Sequence, residues 1–119
     1  MNISNLSLAT DRADTPTLQF DGMEEQAAEA TAFLKALAHE GRLMILCHLA
    51  QGERSVTELE RLLGARQSAV SQQLARLRLE GLVDNRRDGK AIYYRIADAR
   101  VERLIGALHE MFCETPEPA

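Results

Sequence analysis

Tryptophan is absent, and aromatic residues make up only 4 % of the 119-residue chain. A core drawn from its 45 % hydrophobic content is therefore mainly leucine, isoleucine, valine, alanine and methionine. No run of about eighteen apolar residues occurs, so no membrane-spanning helix is expected. The first residues offer neither a basic start nor a continuous apolar stretch, so no secretory signal is expected and the cytoplasm is the expected location. Cysteine is scarce, with only Cys47 and Cys113. Cytoplasmic thiols are kept reduced, so two distant cysteines are not a structural staple by default. CxxC, Cys/His zinc-finger spacing and HExxH are all missing, which removes the common zinc and redox motifs.

Basic charge is also short overall, with a net charge of −4. It is unevenly placed. Residues 54–95 hold nine basic and five acidic side chains, leaving that stretch at +4 and the rest of the chain at −8. A basic face on an acidic body suits DNA, although a solvated charged surface has the same composition.

What is present is mostly helical periodicity. Residues 1–22 mix Asp, Thr, Ser, Asn, Pro and Gly without a sustained pattern and read as a disordered tail. From 23 to 38, Ala27, Ala30, Phe33, Leu34 and Leu37 fall at helical spacing, with acids near the start where the helix dipole favours them. A second helix, about 42–51, is apolar nearly all round and is expected to be buried. Ser55 and Glu58 form a capping box before "VTELERLL", which stops at Gly64. "RQSAVSQQLARLRLE" follows and ends at Gly81; two short helices around a tight glycine turn predict a helix-turn-helix. "LVDNRR", the turn "DGK" and "AIYYRI" predict a hairpin. Asp98 then caps a last helix with an apolar stripe of Val101, Leu104, Ile105, Leu108 and Phe112. The expected fold is mainly α, a winged helix-turn-helix in the order α-α-α-α-β-β-α over residues 23–114, with 115–119 frayed.

On a helical wheel Val70, Leu74 and Leu77 face the domain, while Ser68, Ser71, Gln72, Ala75 and Arg76 face away. Small side chains let a helix approach the floor of the major groove, and glutamine can bond adenine twice. Gln67 belongs to the same first turn, and Arg66 and Arg76 are placed to reach phosphate. Arg86, Arg87 and Lys90 crowd the hairpin tip, where a wing meets the backbone or minor groove. Leu79 points outward without an assigned partner.

"LKALAHEGRLMILCHL", "SVTELERLLGARQSAVSQQLARLRLEGLV" and "RRDGKAIYYRI" together resemble the ArsR/SmtB group of small dimeric bacterial repressors, over about residues 24–113. The resemblance implies a homodimer built through the first and last helices, double-stranded operator DNA as partner, recognition by 66–80 and a wing over 84–96. Two metal sites of that group are broken here. The third helix has no cysteine, and Asp98 is followed by Arg100 where Asp-x-His is required. His109 has Phe112 where His-x-x-Glu requires the acid. Cys47 and Cys113, with "HEGRLMILC" around the first, resemble the persulfide-responsive SqrR/BigR branch. That branch implies persulfides or polysulfides as effectors, release of DNA, and control of sulfide-detoxification genes.

By composition alone Cys47 reads as a small core hydrophobe. Cys113 lies off its helix's main stripe, one turn after His109, which can serve the helix dipole or lower a neighbouring thiol's pKa. The alternative is a metal-responsive repressor using a non-standard set of Cys47, His48, His109 and Cys113. A protein-interaction winged helix that never touches DNA is the third reading. No cofactor, enzymatic motif or membrane partner is indicated. His39 is expected to support the junction of the first two helices.

Overall fold

Helix ends in this chain are written largely into single residues. The computed structural model describes residues 22–113. The expected tail (apart from Gly22) and the frayed end lie outside them. The elements are α1 (Met23–Leu37), α2 (Glu40–Leu49), β1 (Arg54–Ser55), α3 (Val56–Leu63), α4 (Gln67–Leu79), β2 (Val83–Asp88), β3 (Ala91–Ile96) and α5 (Ala99–Phe112). The described residues divide into two units, and α1 belongs to the first up to Thr31 and to the second from Ala32.

His39 caps α2: its Nδ1 accepts from the Gly41 and Arg42 amides at 3.1 and 3.4 Å. Arg42 reaches back to the end of α1, its Nε donating to the Ala36 carbonyl at 2.6 Å. Those are the orphan acceptors that a helix C-terminus leaves. The capping box at α3 is complete: Ser55 Oγ accepts from Glu58 N at 3.0 Å, and Glu58 Oε1 accepts from Ser55 N at 2.8 Å. Gly64 ends α3 at φ +61°, a left-handed conformation that glycine adopts without a Cβ penalty. Asp98 caps α5, accepting from Arg100 N at 2.9 Å.

The hairpin pairs Val83 with Ile96 through Asp88 with Ala91. Its connection contains Gly89 at φ +64°. A third strand was not expected. β1 pairs Arg54 with Tyr94 and Ser55 with Tyr93, giving an antiparallel sheet of order β1-β3-β2. Two residues are too few to show alternation, and Ser55 reads first as a cap.

The core joins Ala36 and Leu37 from α1, Ile45, Leu46 and Leu49 from α2, Leu59 from α3, Val70, Leu74 and Leu77 from α4, Leu82 and Val83 from the entry to β2, and Val101 and Ile105 from α5. The expectation that α2 is buried all round is corrected. Met44 and Ala50 are exposed and Leu43 and Cys47 only half-buried, because one flank of α2 borders a cavity rather than packed side chains.

Candidate nucleic-acid interface and thiol site

The helix-turn-helix is held from inside. Val70, Leu74 and Leu77 are fully buried, so the rotation of α4 about its own axis is set by the core. That rotation turns Gln67, Ser68, Ser71, Gln72 and Arg76 to solvent, with Arg66 exposed at the N-cap. Arg76 Nε lies 3.3 Å from Glu80 Oε2, an exposed i,i+4 pair that competing phosphate can replace. Leu79 is 83 % exposed, as its outward wheel position requires.

On the wing, Arg86, Arg87 and Lys90 are all exposed, but they are not equivalent. Among the described residues the side chains of Arg87, Lys90 and Arg66 have no hydrogen-bond or ion-pair partner. Arg86 does. Its Nε and one terminal nitrogen meet the two carboxylate oxygens of Glu53 at 2.9 and 2.7 Å. Its guanidinium carbon also lies 4.7 Å from the centroid of the Tyr93 ring. The bond to Arg86 holds the Glu53 carboxyl below the usual carboxylate range and raises the guanidinium in turn. Glu53 carries no signal in the sequence, because its partner is thirty-three positions away.

The second site lies between α2 and α5, which pack against each other. An open cavity of about 810 Å³ separates part of their facing flanks. Cys47 and Cys113 both line it, with Leu43, Met44, Ile105, Leu108 and Phe112 supplying apolar wall. Cys47 is half-buried and Cys113 exposed. Burial pushes the Cys47 thiol above its ordinary pKa, and negative charge on Cys113 pushes it the same way. Cys113 caps α5, its N–H donating to the His109 carbonyl at 2.8 Å.

His109 borders the same cavity. Nevertheless, no group of three or more His, Cys, Asp or Glu among the described residues is arranged to hold a metal ion. At the start of α5 the Asp98 carboxylate is already taken by its own helix. Arg100 donates to it from the backbone and from the guanidinium, the shortest contact being 2.7 Å. These bonds hold Asp98 below the usual carboxylate range. Among the described residues no helix is long and apolar enough to cross a membrane.

Residues 39–85 match the family described as bacterial regulatory protein, arsR family. The chain is 49 % identical over 104 residues to the biofilm growth-associated repressor of Agrobacterium fabrum, covering 87 % of this chain and 89 % of that protein. It is 44 % identical over 92 residues to the transcriptional activator HlyU of Vibrio cholerae, covering 77 % and 85 %. The solved structure of the transcriptional repressor BigR from Xylella fastidiosa aligns with a TM-score of 0.78 at 43 % identity, covering 82 % of this chain and 100 % of that one.

Proposed function

The chain belongs to the ArsR family of bacterial regulatory proteins, and from that premise we propose that it is a DNA-binding transcriptional repressor switched by reactive sulfur at Cys47 and Cys113. The family is one of regulators, not enzymes. Repression is the direction carried by the more similar relatives, although HlyU bears the name of an activator. Operator DNA lies against Gln67, Ser68, Ser71 and Gln72, with Arg66, Arg76 and the wing supplying phosphate contacts. Two copies related by a two-fold axis, meeting through α1 and α5, present two such helices to half-sites about 34–36 Å apart. The incompletely covered stripe of α5 supports that pairing. The genes controlled are those of sulfide detoxification.

One observation carries the sensing half: both cysteines of the chain border a single cavity between α2 and α5. A thiolate takes the outer sulfur of a persulfide and releases the parent thiol. Cys113, exposed at the helix end, meets the reagent first. Cys47, half-buried and reluctant to ionise, reacts second. Once each cysteine carries one added sulfur, the terminal sulfur of one attacks the inner sulfur of the other. A three-sulfur bridge forms and H₂S leaves. A longer hydropolysulfide donor gives a longer bridge by the same displacement. Each inserted sulfur adds about 2 Å of reach beyond a plain disulfide, which requires Cα atoms about 4.4–6.8 Å apart. The bridge pins α5 to α2 and changes how the recognition helices are presented.

The test treats the reduced protein with a persulfide and follows intact mass and DNA affinity together. An intramolecular bridge with added sulfur, formed as DNA is released, is the expected result. Release without added sulfur overturns the reading. Zinc titrated into the reduced protein is expected to change DNA affinity by less than about 1 kcal/mol, and a larger shift restores the metal-responsive alternative.

A further inference from the structure

We infer that Glu53 and Arg86 form a strap that fixes the wing against the turn leaving α2, so that Arg86 positions the wing while Arg87 and Lys90 make its phosphate contacts. The inference rests on the DNA-binding reading above, but the strap itself is a feature of the fold. The sheet order β1-β3-β2 places β3 between Arg86 on β2 and the segment that contains Glu53. To reach Glu53, the Arg86 side chain must cross β3. It crosses at Tyr93, its directly paired residue, with the guanidinium 4.7 Å from the ring centroid. Beyond the ring the fork closes on both oxygens of Glu53 at 2.7 and 2.9 Å.

This geometry commits one edge and one face of the guanidinium within the fold itself. A bidentate carboxylate occupies one edge of the guanidinium fork. The face is laid against an aromatic ring, and a third nitrogen faces Asp88 at 3.8 Å. Arg87 and Lys90 carry no such partners among the described residues. The wing also needs a strap. Only Val83 of β2 is buried, and β2 is an edge strand that pairs with β3 alone. The anchoring turn is itself held. Gln51 Oε1 accepts from Arg54 at 3.3 Å, and Arg54 and Ser55 pair with β3 through the backbone. Glu53 thus joins the end of α2 to the far strand of the wing.

Two opposite expectations follow for variants at these positions. If Arg86 grips phosphate, Arg86→Gln removes one counterion-releasing contact and lowers the salt slope of DNA binding by about 1. If it is a strap, Arg86→Gln weakens binding with the slope unchanged, whereas Arg87→Gln and Lys90→Gln each lower the slope by about 1. Charge exchange sharpens the test. Arg86→Glu is expected to weaken binding about tenfold, and Glu53→Arg with Arg86→Glu to recover most of it at unchanged net charge. The probe is a duplex selected by the parent protein from a random-sequence library. Without DNA, amide exchange in β2 and β3 should quicken in Arg86→Glu and slow again in the exchanged pair. A slope lost in Arg86→Gln, or an exchanged pair no better than Arg86→Glu in affinity and amide exchange, overturns the inference. Parent protein that shows no salt-dependent DNA binding refutes the DNA reading instead, and amide exchange then decides the strap alone.

Discussion

Helices α4 and α5 are of nearly equal length, thirteen and fourteen residues, and each carries an apolar stripe. The chain finishes only one of them. Val70, Leu74 and Leu77 of α4 are wholly out of solvent. On α5 only Val101 and Ile105 are buried, Leu104 and Leu108 are half covered, and Phe112 remains 79 % exposed. The difference separates two tasks. A surface that reads DNA must keep one orientation, so its helix is locked by the domain's own core. Under the proposed function, a surface that pairs with a second copy or responds to an effector keeps apolar area in reserve, as α5 does beside a cavity.

The comparison breaks most severely at α4. Leu74→Ala leaves a void in a fully buried position and is expected to cost about 2–5 kcal/mol, measured by urea unfolding. A loss below that range would mean α4 is held less firmly than its burial indicates. Next come the thiols. Cys47→Ser or Cys113→Ser alone is expected to leave DNA binding by the reduced protein intact while abolishing a persulfide response of about 5- to 150-fold in affinity. A single variant that still releases DNA would separate the two cysteines. Ser55→Ala removes one half of the capping box and is expected to cost about 1 kcal/mol of stability.

A smaller effect is expected from acid. The folded Asp98 carboxyl is held below its ordinary value by Arg100. Its contribution is therefore full above the ordinary carboxylate pKa of about 4 and is lost as pH falls through the lowered folded value. Asp98→Asn should flatten that part of a thermal-unfolding pH profile, whereas an unchanged profile would show that the cap does not titrate. The smallest effect on folding is expected at the exposed end of α5. Phe112→Ser should change unfolding stability by less than about 0.5 kcal/mol yet weaken self-association in analytical ultracentrifugation. A large loss of monomer stability would show that the two helices are finished alike.

Much of this molecule was legible locally. The Ser55–Glu58 box, the Gly64 stop, the Asp98 cap and the Asp-Gly hairpin each act within a few residues, and the structure has all four where their spacing puts them. The inward set of α4 was equally readable, since a 3.6-residue period decides which side chains share a face. Burial of α2 is less complete than its apolar composition implies. Periodicity reports which residues are apolar, whereas cover depends on what the chain lays opposite, and here that is a cavity beside Met44 and Cys47.

By itself, then, the sequence determined the helices, the caps at Ser55 and Asp98, the hairpin of the wing and the outward face of α4, because those depend on backbone sterics and on hydrogen bonds between near neighbours. Tertiary structure alone decided that β1 joins the sheet, that Arg86 crosses Tyr93 to reach Glu53, and that Cys47 and Cys113 border one cavity. Each of these unites groups far apart along the chain. No local energy selects such a meeting; it exists only after the buried faces of five helices have settled against one another and fixed what stands opposite each side chain.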